Sequence, residues 1–177
     1  MKNVTLLLVM LFSAAAVSAQ EKDFSSIDIV VKSFYEALAQ DNGDARAQQL
    51  AALFTKDGQI SSVNHANNNA ASIKNGSWKT FYAGSTSLYT SYSLSNDEVE
   101  RTVDFYGEIA SVHSLVYQTL TQKTSKKEFA QLYWMQLDLV YLNNRWYIDY
   151  ASWTNQYQNV AVEEAILSDT IWHQLSK

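Results

Sequence analysis

GEIASVHSLVYQTLT (Gly107–Thr121), KEFAQLYWMQLDLVYL (Lys127–Leu142) and RWYIDYASWTN (Arg145–Asn155) follow one another as three long, aromatic-rich stretches. The first break between them, QKTSKK, is polar and charged, and the second is only Asn143-Asn144. Asparagine tolerates the positive φ that a two-residue hairpin needs. The pattern therefore predicts an antiparallel meander, with strands about twice the usual length of about 5–6 residues. Strands this long twist and bend, because flat sheets are disfavoured. A bent sheet needs something inside its curve, and that interior is the first place to look for a site.

Outward from the meander, the ends are read differently. Val4 to Ala16 is apolar after Lys2 and too short to span a bilayer as a helix. With Val17-Ser18-Ala19 supplying small residues for cleavage, residues 1–19 read as a signal peptide and Gln20 as the mature N-terminus. A periplasmic or secreted location is expected. Val160 to Leu175 carries Leu167, Ile171 and Leu175 at helical spacing, with Trp172 beside them. Residues 157–177 are read as a C-terminal helical extension that packs on the domain or on a partner.

Composition narrows the function classes. The chain has no Cys, so disulfides and thiolate chemistry are excluded. Without Lys2, 12 basic residues face 18 acidic ones, a net charge of −6. That balance argues against nucleic acid and anionic membrane surfaces as partners. No segment after the leader is apolar enough to insert in a membrane. There are 23 aromatic residues and no Pro. Aromatics bury large areas and favour strands.

Before the meander the pattern is helical. Ile27, Val30, Val31, Phe34, Tyr35 and Leu38 share one helix face, with Ser25 as N-cap, a Phe24–Ile29 staple and Asn42-Gly43 as the stop. Asp44 is expected to cap a second helix with Ala47, Leu50, Leu53 and Phe54 inward. Lys56-Asp57-Gly58 reads as a turn before a short strand, Gln59–Val63. His65 to Asn69 is a polar loop. Asn75-Gly76-Ser77 reads as a turn with Ser77 capping a third helix, along which Trp78, Phe81, Tyr82, Ser85, Leu88, Tyr89 and Tyr92 lie. A strand, Glu98–Phe105, follows. Helices first and an antiparallel sheet after them give an α+β fold. The sheet is expected as a four-strand meander plus a short strand, strongly curved around three N-terminal helices, with an extra C-terminal helix.

An amphipathic first helix, LAALFTKDGQI (Leu50–Ile60), a Gly-led helix, GEIASVHS and NNRWYIDYASW occur here in the order seen in a known group. In that order and spacing the chain resembles the nuclear transport factor 2-like superfamily, which includes SnoaL-like and ketosteroid isomerase-like proteins. The resemblance covers Phe24 to Gln156, so the cone domain is placed at residues 24–156. It implies a curved sheet wrapped around helices, a pocket at the open end, and a homodimer through the outer sheet face. The isomerase-like enzymes of the group place a general-base Asp a few residues after the position of Asp57. That spacing falls at about Ser62, which cannot act as a carboxylate base.

His113 is the weak catalytic candidate, because it sits mid-strand and titrates near neutrality. Asp138, in LYWMQLDLVYL, is expected on the outer face with Trp134, Gln136 and Val140. Asp149 is expected in a surface pair with Arg145 or Arg101. His65, His113 and His173 have no ligand-like spacing, so no metal site and no cofactor are expected. His113, Tyr117, Tyr82, Tyr133 and Trp153 are the candidate ligand-binding residues. The favoured function is a small-molecule-binding domain with an aromatic-lined pocket for an apolar ligand, without isomerase-type catalysis. The alternatives are a dimeric interaction module and a SnoaL-like acid–base enzyme acting on a small carbonyl compound through His113.

Overall fold

The computed structural model describes residues 23–65 and 71–155. The leader, most of the HANNN loop and the C-terminal extension lie outside the described residues. The described residues hold four helices: α1 (Ile27–Ala39), α2 (Gly43–Leu53), α3 (Trp78–Ala83) and α4 (Thr86–Ser91). The strands are β1 (Phe54–His65), β2 (Ala71–Ser77), β3 (Tyr92–Tyr106), β4 (Ile109–Gln122), β5 (Glu128–Leu142) and β6 (Arg145–Asn155). They form one open six-stranded sheet in the order β2-β1-β6-β5-β4-β3. Only the β1–β6 pairing is parallel.

The meander is present as expected. Asn143 and Asn144 join β5 to β6 with φ of 52° and 63°, and Gly107, at φ 63°, joins β3 to β4. The inner face of the sheet is the one the helices cover. Val30, Val31, Phe34 and Leu38 of α1 meet Val112, Val116, Leu137, Leu139 and Ile148 in one core. Apolar burial of this kind is the main favourable term in folding. Among the described residues, no helix is long and apolar enough to cross a membrane.

The boundaries before the meander differ from expectation in instructive ways. α1 stops at Ala39, and Asn42, not Asp44, caps α2 by accepting from the Ala45 N–H at 3.0 Å. Gly43 is therefore helical. Ser26 rather than Ser25 is the α1 N-cap, and Ile29 is exposed, so the expected staple is not made. α2 buries Arg46, Leu50 and Leu53, while Ala47 is exposed. Phe54 is buried but begins β1.

Lys56-Asp57-Gly58 is not a turn. It lies within β1, where the register to β6 shifts between Phe54 and Gln59. A Cβ on Gly58 would meet Phe54 Cδ1 at 2.8 Å and the Ile148 carbonyl at 3.3 Å, so the irregular crossing needs glycine. Asn75-Gly76-Ser77 ends a strand rather than making a turn. Ser77 does cap α3, accepting from the Thr80 N–H at 3.2 Å. The expected single third helix is broken at Gly84 into α3 and α4.

Candidate functional site

Alternation along unbulged β4 decides which residues reach the cone. Val112, Ser114 and Val116 face the helices, and so does Gln118. Ile109, Ser111, His113, Leu115 and Tyr117 must then face the other way. β6 changes parity partway along. Tyr150 pairs with Asp138 and Ile148 with Leu139, which leaves Asp149 as an extra residue. That bulge puts Trp146 and Ile148 on the inner face and also keeps Ala151 and Trp153 there. β3 has the same device at Val99, between Glu98 and Glu100. Val99 is thereby turned outward and Arg101 inward.

Between the inner sheet face and the broken α3–α4 helix lies a cavity of about 230 Å³. Phe81 and Tyr82 reach it from α3, Leu88 and Tyr89 from α4, and Leu38 from the end of α1. Leu94, Leu120, Tyr133, Met135 and Trp153 line it from the sheet. Phe81 meets Trp153 edge-on, with ring centroids 4.9 Å apart, a favoured aromatic geometry. Lys123 holds α4 against the sheet by donating to the Tyr89 carbonyl at 2.9 Å while pairing with Asp41. Among the described residues, no charged side chain lines the cavity.

Its polar groups are amides, phenols and the Ser85 hydroxyl, which donates to the Phe81 carbonyl at 2.9 Å. Gln131 Nε2 donates to Gln118 Oε1 at 2.6 Å, and Gln118 Nε2 donates to Asn96 Oδ1 at 2.8 Å. The Tyr133 hydroxyl donates to the same Asn96 oxygen at 3.1 Å. Among the described residues, Asn96 Nδ2 and the Tyr82 hydroxyl are buried without a partner. Buried polar atoms are usually satisfied by protein, water or ligand.

The phenols cannot act as bases. Burial pushes the Tyr82 and Tyr133 hydroxyls well above their ordinary value and Tyr89 up to about 12. Tyr35, beside Ser114, is raised by burial as well. A neutral phenol in the fold ionises near pH 10 once unfolded, so its stabilising contribution is complete below pH 10. It is lost as pH rises through the folded value, about 12 for Tyr89. Alkaline titration followed by tyrosinate absorbance and circular dichroism is expected to show exposed tyrosines ionising first. These four should ionise only together with loss of the fold. Smooth ionisation of all 11 tyrosines in a retained fold would contradict the placement.

The proposed site residues divide between the two faces. Tyr82, Tyr133 and Trp153 line the cavity, whereas His113 and Tyr117 sit on the opposite face of the sheet. His113 lies with Trp134, Gln136, Ser152 and Thr154 in a shallow groove there. Ser62 occupies β1 opposite Trp153, on the same inward side as Ile60. Asp138 is on the outer face as expected, accepting from Ser111 at 2.7 Å and from Gln136 at 3.1 Å. Asp149 pairs with neither arginine; it accepts from Thr55 Oγ1 at 2.8 Å. Arg145 instead stacks over Phe24 and Tyr147 and donates to the Ala52 carbonyl.

Two inward features escape a reading of the residues alone. Glu98 accepts from Ser114 at 2.5 Å and from Arg101 Nε at 2.9 Å, and Arg101 also bonds Asp28 on α1. Through Arg101 this ion-pair network ties α1 to the sheet. Asn96, four residues after Tyr92, anchors the amide relay. Both positions become readable only once the Val99 bulge is placed. No three His, Asp or Glu side chains among the described residues could hold a metal ion.

No protein-family model matches the chain, and no curated protein does. Solved structures do. A candidate scytalone dehydratase from Novosphingobium aromaticivorans is 15% identical, with a TM-score of 0.57, over 74% of this chain and 82% of that one. A candidate dehydratase of the NTF2-like family from Streptomyces avermitilis is 12% identical, with a TM-score of 0.57, over 76% and 96%. A ketosteroid isomerase-like protein from Erwinia carotovora atroseptica is 14% identical, with a TM-score of 0.53, over 77% and 98%. At such identities the likeness speaks for architecture alone: the chain has the nuclear transport factor 2-like cone fold.

Proposed function

We propose that the cone binds a small, neutral, ring-containing apolar molecule and does not carry out isomerase-type proton transfer. One observation carries this reading: an aromatic-lined cavity of about 230 Å³ with no charged side chain among the described residues of its wall. Burying an ionised group there without a partner would cost several kcal/mol. A cavity of about 150 Å³ takes up benzene, so this one suits a molecule of one or two fused rings. The unpartnered hydroxyl of Tyr82, a residue of the cavity wall, offers a hydrogen bond to one polar atom of the ligand.

Catalysis is disfavoured by the same lining. Acid–base chemistry needs a titratable group within reach of the substrate. The spacing implied by the resemblance puts the base position at about Ser62, the phenols stay protonated, and His113 is across the sheet from the cavity. The similar dehydratase and isomerase-like proteins share the fold, and fold alone does not transfer a reaction. The apolar leader supports binding outside the cytoplasm.

Native mass spectrometry and calorimetry with indole, 2-naphthol and 2-naphthoate test the reading. Indole and naphthol should bind and naphthoate should not. Tyr82→Phe should weaken naphthol binding by roughly threefold to tenfold, the worth of one neutral hydrogen bond. Equal binding of the anion, or no retained or added ligand at all, would remove the basis of the proposal.

A further inference from the structure

The hydrogen-bond relay in the cavity wall has a direction. Gln131 Nε2 donates to Gln118 Oε1, Gln118 Nε2 donates to Asn96 Oδ1, and the Tyr133 hydroxyl donates to that same oxygen. Every link points towards Asn96, whose Oδ1 thereby holds two donors, the capacity of a carbonyl oxygen. Gln118, Gln131 and Tyr133 all belong to the cavity wall. At the far end of the relay stands the Gln131 carbonyl, and among the described residues no donor reaches its Oε1. Tyr133 has spent its one proton on Asn96, so its oxygen keeps only acceptor capacity. Burial holds that phenol protonated. Gln131 and Tyr133 share the inner face of β5, about 7 Å apart along an unbulged stretch of strand. The wall therefore offers two acceptor oxygens on one strand. From the helix side, Tyr82 of α3 brings an unpartnered hydroxyl.

Resting on the reading of the cavity as a ligand site, we propose that its ligand carries a ring hydroxyl, as a neutral phenol does, and gives that proton to Gln131 Oε1 or to the Tyr133 oxygen. A hydroxyl both donates and accepts. It can pair with an acceptor on β5 and take a hydrogen bond from Tyr82 at the same time. Ketones, ethers and aryl halides of the same size have no proton to give. The second hydrogens of the Gln118 and Gln131 amides can meet the oxygen of such a ligand, but the two β5 acceptors then face it unpaired. A polar atom buried without a partner loses affinity, and a site built to bond a hydroxyl rejects the analogue that lacks one. The size of the ligand follows from the cavity volume, and its hydroxyl follows from the direction of the relay. A relay running the other way would present the Gln131 amide nitrogen at its free end and would favour ligands that only accept.

Calorimetry on the full chain with 2-naphthol, 2-fluoronaphthalene and naphthalene tests the hydroxyl. Fluorine is close to a hydroxyl in size and cannot donate. Naphthol should bind at least roughly tenfold more tightly than fluoronaphthalene, as expected for two neutral hydrogen bonds. Gln131→Met and, separately, Tyr133→Phe each remove one acceptor at nearly constant volume, with circular dichroism confirming that each variant is folded. The variant that removes the partner of the ligand's proton should shrink the naphthol preference by at least roughly threefold, the worth of one such bond. Its affinity for fluoronaphthalene should stay the same. Equal binding of naphthol and fluoronaphthalene, or tighter binding of fluoronaphthalene, would overturn the proposal and leave the cavity as an apolar site. A naphthol preference unchanged in both variants would hand the proton to other atoms and overturn it as well. Failure of all three compounds to bind would remove the cavity reading and this inference together.

Discussion

Phe34→Ala is expected to destabilise the domain by about 3–5 kcal/mol, the usual range for a buried Phe truncation. The side chain is fully buried. It joins α1 to the start of β1: its ring lies 6.0 Å from Phe54 edge-on and 5.7 Å from Tyr35. Two costs add. The lost ring surrenders its transfer free energy, and the hole it leaves is fixed on one side by the sheet and on the other by α1, so collapse is limited. Small domains hold only about 5–15 kcal/mol in total, so the variant should unfold at a far lower denaturant concentration. Phe105→Ala is the control, since that ring is 67% exposed and should change stability by less than about 0.5 kcal/mol. Equal midpoints for the two variants in urea would mean that α1 does not carry the inner core.

Why the meander could be read in advance, and the site only partly, follows from the signals each leaves. Asn143-Asn144 and Gly107 are local devices, and their positive φ is visible in residue type. The N-cap at Ser77 is equally local. The faces of the strands are not. Reading parity through Val99 and Asp149 requires knowing that each is an extra residue, and a bulge has no reliable residue signature. Tyr82, Tyr133 and Trp153 could be named as candidates because aromatics concentrate there. His113 and Tyr117 could not be separated from them until the register of β4 fixed their side. Asn96 and Glu98 were hidden for the same reason. β2 went unseen because its residues, ASIKNGS, lack the β-branched and aromatic excess of the meander. It forms because it pairs along β1 from His65 to Gln59.

Leu94→Trp is expected to abolish ligand binding, by more than about 100-fold, a loss of about 2.7 kcal/mol, while leaving the fold nearly as stable. Leu94 enters the cavity from β3, next to Leu120 on β4. An indole at this position would grow into open space of about 230 Å³. Enlarging a side chain in a filled core instead costs about 1–3 kcal/mol, because neighbours must shift. Leu137→Trp supplies that contrast: Leu137 is fully buried on the same face of β5 and lines no part of the cavity. Paired measurements therefore separate two questions that a binding assay alone would merge. If both variants lose similar stability, the cone interior is filled and no ligand of this size can enter. If Leu94→Trp is stable and still binds naphthol, the interior is open but the ligand sits elsewhere. Only a stable variant that no longer binds, beside a destabilised Leu137→Trp, places the ligand among Tyr82, Tyr133 and Trp153.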